Sequence, residues 1–350
     1  MKIKLGDIAK QLNISVAAVS MAINGKKGVS DETRDQVIKL ATELGYIFKE
    51  VPKEEVPEER ENKKYIKLLR LRKHGLVATD TDFFAAVIDG IEEECRKNGY
   101  QLLISNFGLK DLTTEILEKE MSAEVEGQVI FATELEEEDV LFLEGCRSPF
   151  VILDSFFHHQ DWNFVLMNNG NATYQAVRYL NTQGHQEIGY LKSSERIYNF
   201  ERRFGGYLEA MDVNGLKVDP AHIVHLEPTL QGAQRDMEEI LSELSKKKSL
   251  AKALPSAFVA DNDIIALGAI NALKQYGLEV PKDVSVIGID DMPFCEMTSP
   301  KLTTIKIFKR EMGREAVRLL LDVMERKSPY TQKRELNTML LERESVRRIK

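Results

Sequence analysis

Residues 5–30 read LGDIAKQLNISVAAVSMAINGKKGVS, and this stretch decides the architecture of the N-terminal region. Apolar side chains recur at helical spacing in two runs, which are Leu5, Ile8, Ala9 and Leu12, then Val16, Val19 and Ile23. Because only a short polar segment separates the runs, the pattern predicts two helices that meet at a tight turn. Ser15 is suited to cap the second helix, and Asn24-Gly25 is suited to end it.

A third helix is predicted directly after this stretch. Ser30 and Thr33 fit a capping arrangement at its start, and Gly45-Tyr46 fits its end. The middle helix carries small side chains, which let a helix enter a DNA major groove closely. The three helices therefore predict an all-α helix-turn-helix head over residues 1–50. A three-helix docking or oligomerisation module has the same periodicity and stays open.

Charge is distributed unevenly along the chain. The 350 residues carry a net charge of −8, whereas residues 1–50 hold eight basic and six acidic side chains, a net charge of +2. This asymmetry fits a small DNA-binding head on an acidic body. No apolar run approaches the roughly 18 residues of a membrane span, and the N-terminus lacks the apolar core of a secretion signal. We therefore expect a cytoplasmic protein.

The residue types that most often carry catalysis or bind metals do not form a recognisable motif. Cys95, Cys146 and Cys295 lie far apart without CxxC spacing, and His222 and His225 lack an accompanying glutamate. The sequence contains no GxGxxG, GxxxxGK[ST] or GxSxG motif. We expect no enzymatic activity, no metal site and no cofactor.

The remaining chain divides into a connector and a large body. Residues 51–64 read VPKEEVPEERENKK, a polar segment with two prolines and five glutamates, which predicts a linker. Residues 65–350 alternate short apolar runs with amphipathic helices in two successive series. This alternation predicts a two-lobed α/β body with parallel sheets. Ligands in such folds bind at the carboxyl ends of strands or between lobes, so we expect the functional site there.

An ordered series of short motifs runs through the head: Leu5-Gly6-Asp7-Ile8-Ala9-Lys10, Ile14-Ser15, Val19-Ser20, Asn24-Gly25, Val29-Ser30, Thr33-Arg34 and Leu44-Gly45-Tyr46. The series resembles the reading head of the LacI/GalR family of bacterial transcription regulators. That resemblance implies that the second helix reads double-stranded DNA. Its groove-facing side would carry Ser15, Val16, Ala17, Ser20 and Met21, and the residues nearer the phosphates would be Asn24, Lys26, Lys27 and Arg34.

Two departures from the family pattern bear on DNA recognition. Position 21 usually holds an arginine, which can bind guanine through two hydrogen bonds, whereas Met21 offers only apolar contact. Family members also usually have a hinge helix with a leucine that enters the minor groove, and residues 51–64 contain no leucine. Because phosphates repel glutamates, we expect this linker to stay off the DNA.

Markers in the body also resemble the family, namely its periplasmic-binding-protein-like sensor domain. They are Phe83-Phe84, Gly99-Tyr100, Asp154, Gly184-His185, Arg203, Gly206-Tyr207, Asn262-Asp263, Asp290-Asp291 and Leu302-Thr303-Thr304. The resemblance implies three chain crossings between the lobes. The first lobe would comprise about 65–161 and 295–325, and the second about 165–292 and 326–350.

By the same resemblance, the effector contacts fall on Phe83, Phe84, Asp154, Arg203 and Asp263. Carboxylates and a guanidinium can hold adjacent hydroxyls through charge-assisted hydrogen bonds, and an aromatic ring can cover the apolar face of a sugar. We therefore expect a small-molecule effector that is a carbohydrate. Trp162, the single tryptophan, is a further candidate for stacking.

Each of these residues also has a structural interpretation that stays open. Phe84 is also compatible with ordinary core packing, and Asp154 with a cap at a strand end. Arg203 or Asp263 would equally suit a structural ion pair. We expect Asp290 to be a turn residue.

Together these observations predict a sequence-specific transcription regulator, which we interpret as a repressor, controlled by an effector bound between two lobes. Two half-sites roughly 34 Å apart require two heads, so we expect a homodimer. A cytoplasmic sugar-binding or sequestering protein with a degenerate head is the alternative. An enzyme on the same two-lobed fold is a third possibility, without a motif in its favour.

Met21 tests the expected mode of DNA reading. Because a methionine contacts thymine methyl groups rather than guanine edges, Met21→Ala should change the half-site that is selected from random duplex DNA. In vitro binding-site selection measures this. Recovery of a guanine-dependent half-site that is the same for the wild type and the variant would refute the expectation.

Overall fold

The structure is a computed structural model that describes residues 3–23, 28–44, 46, 64–77, 81–113, 115–116, 119–120, 125–246, 249–326 and 330–349. It divides into two compact units, Met1–Lys63 and Lys64–Lys350, which we call the head and the body. The boundary falls at the end of the predicted linker. Residues 51–63 of that linker lie outside the described residues.

The described part of the head contains three helices, α1 (Leu5–Gln11), α2 (Val16–Ile23) and α3 (Asp31–Glu43). The predicted cap of α2 is confirmed, because Ser15 Oγ accepts a hydrogen bond from the Ala18 amide at 3.1 Å. Ser30 Oγ accepts from the Thr33 amide at 3.2 Å and caps α3 in the same way. The three helices close on a small core of Ile8, Ala9, Val19, Ala22, Val37 and Ala41. Asn24, Gly25 and Gly45, proposed as helix ends, lie outside the described residues.

The body alternates strands and helices. Its strands are β1 (Lys64–Arg72), β2 (Tyr100–Gly108), β3 (Gly127–Phe131), β4 (Phe150–Leu153), β5 (Phe164–Met167), β6 (Ile188–Ser193), β7 (Ile223–Leu226), β8 (Ala257–Ala260), β9 (Ser285–Asp290), β10 (Thr303–Lys306), β11 (Lys333–Leu336) and β12 (Met339–Leu341). The helices of the body whose bounds the structure describes are α4 (Thr81–Lys97), α5 (Asn169–Thr182), α6 (Tyr198–Val213), α7 (Leu230–Ser245), α8 (Leu250–Ala253), α9 (Asp263–Gln275) and α10 (Lys309–Arg326). None of the described helices is long and apolar enough to span a membrane.

Two six-stranded sheets organise the body. The first sheet has the order β11-β5-β4-β3-β1-β2, and the second has the order β12-β10-β9-β8-β6-β7. Pairing is parallel throughout, except that β12 runs antiparallel to β10. The central strands β3 and β8 are buried along their whole length, as is typical of parallel sheets covered on both faces. The all-α head and the two-lobed α/β body with parallel-rich sheets match the fold class expected from the sequence.

The expected lobe boundaries are wrong in three places. Strand β5 pairs with β4 and therefore belongs to the first sheet, although we expected the second lobe to begin near residue 165. Strand β10 pairs with β9 in the second sheet, although we placed 295–325 in the first lobe. Strand β11 pairs with β5 in the first sheet, although we placed 326–350 in the second lobe. These pairings join strands distant in sequence, so local periodicity does not reveal them.

The chain passes between the sheets three times, after β5, after β10 and between β11 and β12. Helix α10 returns to the first sheet, where it packs against α4, β3 and β4. The first lobe is therefore the first sheet with α4 and α10, and the second lobe is the second sheet with α5 to α9.

Glycines allow α4 and α10 to approach closely. A Cβ atom on Gly90 would clash with the backbone carbonyl of Arg310, and one on Gly313 would clash with the carbonyl of Val87. Because these neighbours are backbone atoms, a side-chain rotation cannot relieve the clash. The contact between the two helices therefore depends on these two glycines.

Gly90→Ala should destabilise the body by about 1–3 kcal/mol or more, because the helices must separate to admit the methyl group. Gly205→Ala is the matched control, since Gly205 is also helical and a Cβ there meets no atom within 4 Å. The control should gain roughly 0.5–1 kcal/mol from the lower entropy of the unfolded chain. Urea unfolding followed by circular dichroism measures both variants. Equal midpoints for the two would contradict the packing argument.

Candidate DNA interface and effector cleft

Helix α2, the helix expected to read DNA, presents one face away from the core of the head. Ser15, Val16 and Ala17 are exposed, with 52% of Val16 accessible, whereas Val19 is buried. Residues 16, 17, 20 and 21 share one side of α2 because neighbours on a helical face are spaced three or four apart. Ser20 and Met21 on this side are half-buried. The arrangement leaves the predicted groove-facing side uncovered by the rest of the head.

Met21 also packs within the head. A Cβ atom on Gly28 would lie 2.9 Å from Met21 Sδ, so the thioether fits against this glycine. Gly28 has φ of +128°, a backbone conformation that other residues rarely adopt. Arg34 is half-buried on α3. The other residues proposed near the phosphates, Asn24, Lys26 and Lys27, lie outside the described residues.

A cavity opens between the lobes of the body, and four of the six proposed effector residues line it: Phe83, Phe84, Asp154 and Arg203. Phe83 and Phe84 lie in the first turn of α4 in the first lobe, and Arg203 lies on α6 in the second lobe. The rest of the lining is Arg70, Val77, Phe131, Thr133, Ile197, Asn199, Phe200, Pro228, Asn262, Ile264 and Asp290. The cavity thus combines aromatic rings with polar groups from both lobes, as small-molecule sites do.

Asp154 lies at the carboxyl end of β4, where its φ of +65° turns the chain into the cleft. Its Oδ2 accepts a hydrogen bond from Thr133 Oγ1 at 2.6 Å, and its Oδ1 accepts from Asn199 Nδ2 at 3.0 Å. Burial removes water from the carboxylate and raises its pKa to about 6 against these hydrogen bonds and the attraction of Arg203. Since Asn199 belongs to α6, this side chain links the two lobes directly.

Arg203 is fully engaged by the protein. Its Nε donates to Asn169 Oδ1 at 3.0 Å, its Nη2 donates to Asp290 Oδ1 at 3.2 Å, and its Nη1 donates to the Asp261 carbonyl. Asn169 in turn donates to Asn199 Oδ1 at 2.8 Å. A continuous network therefore runs from Thr133 in the first lobe to the carboxyl end of β9 in the second. The open interpretation of Arg203 as part of an ion pair agrees with its contact with Asp290.

The sequence predicts that Asp290 is a turn residue, but the structure also places its side chain in the cavity wall. It ends β9 with φ of +126°, lines the cavity and accepts the hydrogen bond from Arg203. Strained backbone conformations of this kind cluster at binding sites, and here one occurs at the end of a strand in each lobe.

Asp263 and Trp162 lie elsewhere than proposed. Asp263 is fully buried in the second lobe, where its carboxylate accepts hydrogen bonds from Thr304 Oγ1 at 2.5 Å, the Met292 amide at 2.9 Å and Cys295 Sγ at 3.1 Å. Trp162 packs edge-on against Phe150 and Phe157, with ring centroids 5.3 and 6.2 Å apart. Both residues support the lobes rather than the cavity wall.

Sequence reasoning missed several cavity residues, among them Arg70, Thr133, Asn199 and Asp290. Arg70 and Asp290 lie near the carboxyl ends of β1 and β9, and Thr133 follows β3. A search for polar residues at the ends of predicted strands could have found these three. Asn199 gives no comparable signal, because it lies in the first turn of α6.

Among the described residues, no group of three or more His, Cys, Asp or Glu side chains could hold a metal ion. His222 Nδ1 lies 3.9 Å from an Asp219 carboxylate oxygen, which is a contact within one turn.

A helical head with an uncovered recognition face and a body with a polar cleft between lobes define a ligand-responsive DNA-binding protein. Two family models match the chain: "Bacterial regulatory proteins, lacI family" at residues 4–48 and "Periplasmic binding protein-like domain" at residues 177–346. A transcriptional repressor of Escherichia coli O139:H28, PurR, is 31% identical over 346 residues, covering 97% of this chain and 96% of the relative.

Solved structures agree with this match. The lac repressor dimer bound to operator and the anti-inducer ONPF aligns with a TM-score of 0.69 at 22% identity, over 99% of this chain and all of that one. A LacI family regulator from Enterococcus faecalis V583 with bound ribose aligns with a TM-score of 0.66 at 26% identity, over 82% of this chain and all of that one. The chain belongs to the LacI family of bacterial transcription regulators. It is a DNA-binding transcriptional repressor with an effector-binding body.

The raised pKa of Asp154 predicts a pH-dependent difference between the wild type and Asp154→Asn. An acid whose pKa is higher in the folded than in the unfolded protein loses stabilisation as the pH rises from about 4 to 6, since the folded state holds the proton more tightly. Asparagine carries no charge, so above pH 6 the variant should be more stable than the wild type by roughly 1–3 kcal/mol. That advantage should vanish near pH 4.

Urea unfolding of the ligand-free protein at several pH values measures this difference. Asp161→Asn, at an exposed aspartate of the same lobe, is the control and should show no such trend. A wild type that is more stable than Asp154→Asn at pH 7 would contradict the assignment.

Proposed function

We propose that this repressor acts as a homodimer in the cytoplasm, that a sugar bound in the interlobe cleft controls its affinity for an operator, and that it has no enzymatic activity. The observation that carries the proposal is a polar network beside aromatic rings. Its members Thr133, Asp154, Asn199, Arg203 and Asp290 line the cleft, and Asn169 joins Asn199 to Arg203. Vicinal hydroxyls can exchange hydrogen bonds with such carboxylate and amide groups.

The aromatic part of the cavity supports the same class of ligand. Phe83 is half-buried at the start of α4, 6.4 Å from the ring of Phe131, and packs against hydrophobic clusters on both sides of the cleft. Its ring can cover the apolar face of a pyranose or furanose. The relative with bound ribose also favours a sugar. A nucleobase would stack on the same rings, so nucleobases belong in the test as competitors.

The network suggests how a ligand would be coupled to DNA binding. The direct bond from Asn199 to Asp154 crosses the cleft, and Phe83 from the first lobe packs on the second. A ligand that adds contacts across the cleft favours closed lobes, and one that displaces the Asn199 bond favours open lobes. In a dimer, either change would alter the spacing of the two heads. We therefore propose that ligand binding in the cleft controls how well two heads bind one palindromic operator.

Thermal unfolding of the full chain with mono- and disaccharides and with nucleobases tests the ligand class. A true effector should raise the melting temperature by mass action, with about 2.7 kcal/mol of stabilisation at a concentration 100 times its Kd. Phe83→Ala should abolish most of the shift, whereas Tyr330→Ala, at an exposed aromatic residue outside the cavity lining, should retain it. If only nucleobases raise the melting temperature, the effector is a nucleobase and the proposed sugar is wrong.

DNA binding is tested by footprinting on the region upstream of the protein's own gene. Protection should weaken steeply with salt, because the head neutralises phosphates, and it should change when the sugar found above is added. Salt-independent or absent protection, together with intact sugar binding, would instead support a sugar-sequestering protein with a degenerate head. Turnover of the bound sugar would indicate an enzyme.

A further inference from the structure

Two arginines line the cleft, and they differ in how the protein satisfies them. Arg203 donates hydrogen bonds from all three guanidinium nitrogens. Arg70, near the carboxyl end of β1, donates none within the described part of the chain, and its Nε is buried without a partner. Unsatisfied buried donors are rare in native proteins and call for a physical explanation.

The guanidinium of Arg70 is nevertheless held in place. Its central carbon lies 3.9 Å from the centroid of the Phe84 ring, and this ring packs edge-on against Phe131 at 5.2 Å. Such stacking orients the guanidinium plane while its N–H groups remain available. Arg70 is therefore a preorganised donor in the cavity wall.

Glu134, whose negative charge attracts Arg70, is engaged by the backbone of the loop that follows β1. Glu134 Oε2 accepts hydrogen bonds from the amides of Lys73 at 3.0 Å, His74 at 3.2 Å and Gly75 at 2.8 Å. Its Oε1 accepts from the Val77 amide at 2.9 Å. Burial and the Arg72 guanidinium lower the pKa of Arg70, against the attraction of Glu134.

The two carboxylates that line the cavity are also engaged. Asp154 is bound by Thr133 and Asn199, and Asp290 is bound by Arg203. The Arg70 side of the cleft thus presents a cation without a hydrogen-bond acceptor. A partly buried cation is stabilised most by an anion that also accepts its hydrogen bonds.

We propose that the effector carries an anionic group, a carboxylate or a phosphate, which Arg70 binds through two parallel N–H···O hydrogen bonds. The planar fork of a guanidinium matches either group in this geometry. Resting on the proposed sugar-binding function, this assignment makes the ligand an acidic sugar: a uronic or aldonic acid, or a sugar phosphate. The neutral part of the sugar would then face the polar network of Asp154 and Asn199.

The test compares matched ligands by thermal unfolding and titration calorimetry on the full chain. Each set contains a neutral sugar, its uronic or aldonic acid and its monophosphate, for example glucose, glucuronate, gluconate and glucose 6-phosphate, with equivalent sets for galactose, mannose and ribose. At least one acidic member should bind more tightly than its neutral parent. Whether carboxylates or phosphates bind identifies the anionic group.

Three variants assign the effect to Arg70. Arg70→Gln should weaken binding of the acidic ligand about 10- to 100-fold and leave its neutral parent unaffected. Arg70→Lys should restore only part of the affinity, because an ammonium lacks the planar fork. Arg147→Gln is the control, since Arg147 is an exposed arginine of the same lobe outside the cavity lining, and it should bind like the wild type.

The outcomes separate this proposal from the proposed function. Binding of neutral sugars in preference to every acidic form would overturn the anionic assignment and keep the sugar-controlled repressor. Acidic sugars that bind Arg70→Gln and the wild type equally would overturn the role of Arg70. If no neutral or acidic sugar of the panel binds to the folded wild type, both proposals fail. Circular dichroism of each variant confirms that the fold is retained.

Discussion

The hydrogen bond from Asn199 to Asp154 is the interaction around which the cleft is built. It joins the first turn of α6 to the end of β4, and therefore one lobe to the other, at 3.0 Å. Both groups are buried, so each polar atom needs a partner within the protein. Thr133 supplies the second partner of the carboxylate, and Asn169 supplies the partner of the amide oxygen. The lobes are held at the distance that satisfies all of these atoms together.

Charge in the cleft follows from the same requirement. Desolvation opposes a carboxylate at Asp154, while Asp290 is neutralised by Arg203 on the opposite side of the cavity. Glu134 accepts hydrogen bonds from the backbone amides of the loop after β1 and holds that loop in place. Arg70 is thus the cation that these commitments leave without a hydrogen-bonded counterion. In the proposed complex, Arg70 binds the anionic group of the ligand, and Asp154 and Asn199 bind its hydroxyl groups.

Local pattern predicted the parts of the structure whose contacts are local. The head helices and the Ser15 cap followed from spacing and capping chemistry, because each depends on residues within one or two turns. Strands β5, β10 and β11 have four residues each and pair with distant strands, so their sheet membership was not visible in the sequence. Asp263, a proposed effector residue, points back into its own lobe, whereas Asp290, expected to be a turn residue, faces the cleft. Whether an aspartate at a strand end or helix start is buried or faces the cleft depends on the direction of the backbone there. Residue type alone does not determine that direction.

The three passages of the chain between the sheets have an evolutionary and practical consequence. Neither lobe is a contiguous segment, since β11 completes the first sheet after β6 to β10 have built most of the second. A gene fusion with one breakpoint therefore cannot exchange one lobe for that of another regulator, and truncation before β11 removes an edge from both sheets. If a protease cuts one of the three connections between the lobes, the other two still join the lobes covalently. The two lobes of the body must consequently be expressed and exchanged together, as one continuous segment of the chain.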